Sequence, residues 1–435
     1  MNLDLLRRKI QAEENVYVEF LKDCLLASFK GVADFQIWIA HKMEKIGLDV
    51  EQFIVHKDEL KKQPAMQRSL QSEAITVGQV PNFIGRLGKG SNEVGQRGLT
   101  VFAHADKPIE SYEWGKRFRP DTFQQGQKLV GPGIGDDVAG IAAAMSALKV
   151  LRDLGWSPRY EVRFASVLGK QLGVFGTYGL VAKYKPSDAA IYVHPPASGG
   201  GLGDLIIGAL GMVEFSVKIS GKAPETTEPW KPIFEKTAIN PIYKGLYLIS
   251  ALRVWGDEIE KQKVYHHEGV EAVAGRSFVV HIGQFLAGES GKAYQFPPWC
   301  VFSGVVHFSP RASVKDIQQK LTELFNSIKV QDAWFSEGNV YLEWGDVIAE
   351  AFEVDPNHVF VKEVRRLIQA ATGVSPRFYY GHSVSDIRYP VLWWGVPAVG
   401  VGPVVGNLGK PDEYIDKNEY LTTIAVLAML IAHFA

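Results

Sequence analysis

Two cysteines in 435 residues, Cys24 and Cys300, lie far apart in the chain. They exclude a disulfide framework and a zinc site built on thiolates. Charge of one sign is also missing: 47 Lys and Arg against 48 Asp and Glu leave a net charge of −1. Nothing in that balance would drive binding to nucleic acid or to an anionic membrane. The longest apolar run, Thr422 to Ala435, is shorter than the ~20 residues a bilayer span requires. The opening stretch, MNLDLLRRKIQAEENVYVEF, is charged throughout and holds no secretory apolar segment. A cytoplasmic protein with no nucleic-acid or membrane partner is therefore expected. At 46% hydrophobic and 22% charged residues, the chain has the composition of an ordinary folded protein with a large core.

The first ~60 residues read as helix, with Leu5, Ile10, Val16, Phe20, Cys24 and Leu25 near helical spacing, then Phe35, Ile39, Met43 and Ile46. Leu99–Ala103 (LTVFA), Val162–Leu168 (VRFASVL) and Ala189–Val193 (AAIYV) are continuous apolar runs, as strands buried on both faces are. GPGIGDD opens a helix carrying Ile141, Met145 and Leu148 on one stripe, with Gly155 just past its end. Helices over 359–371 and 421–434 flank a strand at 397–403. Strands alternating with helices predict an α/β fold, a mostly parallel sheet flanked by helices. Between them, Gly211–Gly221, SFVVHIGQF and WCVFSGVVHF alternate apolar and polar residues, as half-exposed strands do. The expected organisation is a catalytic α/β domain over 1–210 and 326–435, interrupted by a smaller α+β domain over 211–325.

In open α/β sheets the functional groups collect beyond the carboxyl ends of the strands. LTVFA ends in His104-Ala105-Asp106, VRFASVL in Gly169-Lys170-Gln171 and AAIYV in His194-Pro195-Pro196, while Asp136-Asp137 precede the first sheet helix. Either histidine alone fits a satisfied core residue. Both at strand ends beside Asp136 suit a divalent transition metal (zinc, manganese, iron or cobalt), with Asp106 placed to orient His104. The Gly131–Gly135 stretch matches no phosphate-binding fingerprint, and Asp136 and Asp137 would repel a phosphate. No GxSxG elbow is present, and Ser383 and Ser385 beside His382 and Asp386 are too close in sequence to suggest a catalytic triad.

The order AHAD, GPGIGDDVAGIAAAMSAL, GKQLGVFG, YVHPP, GHSVSDIRY and GKPDEYI resembles a family of metallopeptidases and deacylases. That family contains acetylornithine deacetylase, succinyl-diaminopimelate desuccinylase, aminoacylase and carnosinase. The resemblance runs from about Pro81 to the C-terminus and implies a zinc-peptidase-like fold with an inserted lid or dimerisation domain. Its members bind two metal ions bridged by one Asp. By that pattern His104 is a metal ligand, Asp106 its orienting acid and Asp136 the bridging Asp. Where the pattern has Glu-Glu, as general base and second-metal ligand, this chain has Lys170-Gln171. Where it has an Asp or Glu ligand of the first metal the chain has His194, and for the last His it offers Lys410.

The first-metal set, His104, Asp136 and His194, is thus complete, and the positions unique to the second metal are not. A site with one ion per chain is expected, using metal-activated water on a C–N bond of a small molecule. That bond is an amide or an activated aryl-amine, such as that of 5-nitroanthranilate. With Glu replaced by Lys170, the proton carrier is sought among Lys170, His382, Tyr380 and Asp137. Tyr380, Arg388 and the lid residue Arg276 are expected to contact substrate, with His281, His307 and Arg311 as other lid choices. A homodimer or larger homo-oligomer is implied. The alternatives are a two-metal N-acyl amino acid deacylase or dipeptidase, and an inactive relative acting as a binding protein.

Overall fold

The structure is a computed structural model and describes residues 1–56, 80–88, 98–168, 170, 175–223, 230–382 and 385–435. Gln171 and the Pro224-Glu225 region therefore lie outside the described residues. Two compact units divide the chain: 1–209 with 352–435, and Leu210–Ala351.

The first unit is built on an eight-stranded sheet. Its strands are β1 (Asp49–Phe53), β2 (Asn82–Leu87), β3 (Gly98–His104), β4 (Glu161–Val167), β5 (Ala189–Val193), β6 (Asp204–Ile206), β7 (Arg377–Tyr379) and β8 (Ala398–Val401). They lie in the order β1-β2-β4-β3-β5-β8-β6-β7. The central run β4-β3-β5-β8 is parallel, and β1 and β2 add antiparallel strands at one side. Every residue of β3, β4 and β5 is buried, which is why these strands are largely apolar on both faces. Among the described residues, the helices of eight residues or more in this unit are α1 (Leu3–Ala12), α2 (Glu14–Ser28), α3 (Val32–Lys45), α4 (Ala139–Asp153), α5 (Phe175–Lys183), α6 (Val359–Thr372) and α7 (Lys417–Phe434). The alanines of α4 are good helix formers and small enough for close packing against α2 and α7. Gly155, at φ +72°, follows the end of α4 in the left-handed conformation that glycine adopts without penalty.

Three sequence expectations change. The helical N-terminal region stops at Lys45, and Asp49–Phe53 forms a strand on the sheet edge. The regular helix after GPGIGDD starts only at Ala139, because Asp136 and Asp137 have non-helical backbone angles. The boundary at 325 falls inside the helix Val314–Gln331, and the second unit continues to Ala351. Its strand Val340–Ala349 pairs along Gly211–Ser220, so it is held by hydrogen bonds that local patterning does not reveal.

In that second unit the sheet order is 278–287, 299–308, 211–220, 340–349, all antiparallel. Alternate residues of Gly211–Ser220 (Val213, Phe215, Val217 and Ile219) join a core with Leu248, Leu252, Ile317 and Leu321 from two helices. The other sheet face remains partly exposed, which accounts for the alternating pattern. No helix among the described residues is long and apolar enough to cross a membrane.

Candidate metal centre

Parallel pairing puts the carboxyl ends of β4, β3 and β5 at one edge. His104 is the last residue of β3 and pairs with Val167 of β4, while Phe102 pairs with Tyr192 two residues before His194. The two imidazoles consequently stack, with ring centroids 5.5 Å apart. Asp136 reaches the same point from the loop before α4. Its Oδ1 lies 2.7 Å from His104 Nε2 and 3.1 Å from His194 Nε2. One ligand atom from each of the three residues falls within 4.8 Å of the others.

The outer face of each ring determines what the inner nitrogen does. His104 Nδ1 lies 2.9 Å from the carbonyl oxygen of Asp106, and His194 Nδ1 lies 2.7 Å from that of Pro195. A carbonyl only accepts, so both Nδ1 atoms carry hydrogen, and both Nε2 atoms turn toward the Asp136 carboxylate. Two imidazole nitrogens and a carboxylate oxygen at this separation need positive charge between them. Such a donor set, with each ring fixed from behind, fits a divalent transition metal.

Lys170 supplies charge at that point. Its Nζ lies 2.6 Å from His194 Nε2 and 3.1 Å from Asp136 Oδ1. The electrostatics follow. Burial and Lys170 work against a proton on His104, but Asp136 and Asp106 outweigh them and push its pKa up to about 10. Burial and Lys170 bring His194 down to about 4. Burial alone would raise Asp136, yet Lys170 and His104 hold it well below the usual carboxylate range. Asp137, almost wholly buried, is pushed well above that range by desolvation. Its Oδ2 accepts from the His104 backbone N–H at 3.3 Å.

Asp106 orients His104 chiefly through its backbone oxygen; its carboxylate stands 3.6 Å from Nδ1 and accepts from the Lys170 backbone N–H at 3.3 Å. His382 is buried, with its ring edge-on to His194 at 5.1 Å. Arg388 is buried in the same unit. The Tyr380 hydroxyl donates to Glu353, at 3.3 Å. Arg276 is an exposed residue of the second unit, between the helix Glu268–Ala274 and the strand Phe278–Ala287. Lys410 is exposed on a turn, its backbone N–H bonded to Asn407.

A residue the sequence reading passed over, Glu413, is fully buried and accepts from the backbone N–H groups of Gly135 and Asp136. Its only signal is its place in GKPDEYI, where an acidic residue precedes a short strand. Asp386 is likewise buried, accepts from the Thr177 hydroxyl and is raised by desolvation.

Residues 102–433 match the family model described as Peptidase family M20/M25/M40. The N-formyl-4-amino-5-aminomethyl-2-methylpyrimidine deformylase of Bacillus subtilis is 22% identical over 92% of this chain and 89% of its own length. The protein of the same name from Halalkalibacterium halodurans is 23% identical over 90% of this chain and 85% of its own. Among solved structures, aminopeptidase PepT from Bacillus cereus superposes with a TM-score of 0.68 at 15% identity, covering 100% of this chain and 99% of that one. That likeness concerns the fold.

Proposed function

The chain belongs to peptidase family M20/M25/M40, and from that premise we propose a hydrolase that cleaves a C–N bond of a small molecule with one divalent transition metal per chain. His104, Asp136 and His194 would hold the ion. The observation that carries this reading is the convergence of two Nε2 atoms and one carboxylate oxygen, with both imidazoles locked from behind by carbonyls. When bound, such an ion supplies a Lewis acid and lowers the pKa of a water.

The chain's own groups do the rest. Lys170 stands where the family places its general base, and its Nζ contacts two of the three ligand atoms, so it is our choice for holding and moving the proton. Asp106 ties Lys170 to His104 by accepting the Lys170 N–H. His382, edge-on to His194, is the second choice. Arg388 is proposed for a substrate carboxylate, Tyr380 for substrate contact as part of the aromatic stretch 378–380, and Arg276 as a lid residue of the kind the family pattern supplies. The substrate class is an amide or an electron-poor aryl-amine such as 5-nitroanthranilate. The names of the two deformylases make N-formyl amines the amides to try first. A homodimer belongs to the same proposal; Tyr243, Tyr247 and Val254, exposed along one helix of the second unit, support it.

The test is metal content per chain by elemental mass spectrometry, with a native mass alongside. We expect about one ion per chain, its loss in His194→Ala, and a mass twice the 48.2 kDa of the chain. Two ions per chain would overturn the single-metal site in favour of a two-metal N-acyl amino acid deacylase or dipeptidase. No ion after addition of zinc, manganese, iron or cobalt would favour a binding protein without catalysis.

A further inference from the structure

We propose that Glu413 is a positioning residue for Asp136, its buried carboxylate holding the 131–136 loop so that the Asp136 side chain meets the two histidines. The proposal rests on the reading of Asp136 as a metal ligand. Glu413 Oε1 accepts from Gly135 N–H at 2.6 Å and from Asp136 N–H at 3.0 Å, and Oε2 accepts from Gly409 N–H at 2.9 Å. Its backbone oxygen accepts from Gly131 N–H at 2.8 Å, so one residue grips both ends of the loop. Pairing of 414–416 with 128–130 places Glu413 opposite Gly131.

The middle of the loop is held from another side. Buried Lys107 puts its Nζ 3.4 Å from the Pro132 carbonyl and 4.4 Å from the centre of the Phe29 ring. Its stem fills the space a Cβ on Gly133 would need, coming within 2.5 Å of it. Backbone amides bonded to a buried carboxylate are among the stronger restraints available to a loop. Glu413 acts through the backbone N–H of the residue that supplies the carboxylate.

The experiment compares full-length Glu413→Ala and Glu413→Gln with the native chain. Zinc affinity is measured by chelator competition, and amide hydrogen exchange at Gly135, Asp136 and β3 by NMR. Glu161→Ala, which breaks the buried pair with Arg163, is a control for lost stability at a distance from the loop. We expect Glu413→Ala to weaken zinc binding roughly 10–100-fold, as loss of a ligand's supporting partner typically does. Exchange at Gly135 and Asp136 should rise while β3 keeps its protection, and Glu161→Ala should leave zinc affinity unchanged. Glu413→Gln keeps one carbonyl oxygen for Gly135 and Asp136 and should recover most of the affinity; it carries the test if the alanine variant does not fold. A native chain that binds zinc and variants that bind it equally well would overturn the proposal, as would faster exchange spread through β3. A native chain that takes no zinc, with exchange still rising at Gly135 and Asp136 alone, would overturn the metal reading and leave the positioning role standing.

Discussion

At the scale of single residues, Lys170 is the most informative departure. Its Nζ uses the same acceptor atoms, His194 Nε2 and Asp136 Oδ1, that a cation would use. An entering ion has to displace it and then sits beside its charge, so Lys170 opposes metal binding even if it serves the reaction. Lys170→Met should therefore bind zinc more tightly, by about tenfold, since removing a repulsion of ~1.4 kcal/mol changes an equilibrium by that factor. Chelator competition measures this, and weaker binding in the variant would show that the amine supports the ion. The histidines and Asp136 were legible in the sequence because each follows an apolar strand or lies just before a helix. Glu413 and Lys107 were not: an acid in a turn and a lysine after a strand look solvent-exposed until long-range packing buries them.

At the scale of elements, the loop of residues 131–138 decides the site. Its glycines allow the close backbone approach that places Asp136, and the packing around Gly135 shows how tight that approach is. A Cβ on Gly135 would lie 2.5 Å from Val405 Cγ2 and 3.0 Å from Glu413 Oε1. Gly135→Ala should force the loop off its seat, destabilising the fold by about 1–3 kcal/mol, the usual cost of overpacking. Zinc affinity should drop with it. Urea unfolding and chelator competition check the two effects, and a variant normal in both would mean that the contact yields easily. The central strands could be read from their apolar runs because burial on both faces leaves little room for polar residues beyond a paired set such as Glu161 and Arg163. The strand Val340–Ala349 escaped notice because its pairing with Gly211–Ser220 joins residues more than a hundred positions apart.

At the scale of the whole molecule, a buried lysine works against stability. Desolvation brings Lys107 down to about 7, against the pull of Glu413. Between about pH 7 and 10 the unfolded chain binds a proton at this position that the folded chain does not. Stability from this group therefore rises with pH over that window, by about 1.4 kcal/mol per unit, and its cost is complete below pH 7. Lys107→Met should raise the urea midpoint at pH 6.5, with the gain fading near pH 9.5. A gain equal at both pH values, or a loss, would show that the charge is not what the fold has to accommodate. Stability gained together with weaker zinc binding would mean that the lysine is retained for the site rather than for the fold.

The fold class and the three residues His104, Asp136 and His194 follow from the sequence by itself, because strand ends and helix starts are local properties and polar residues at those points stand out against apolar neighbours. The convergence of the two inward Nε2 atoms on Asp136, the placing of Lys170 Nζ between two ligand atoms, and the hold of Glu413 on the Asp136 backbone depend on residues far apart in the chain. Only tertiary packing decides these, since they turn on distances of a few ångströms between side chains that no periodicity encodes.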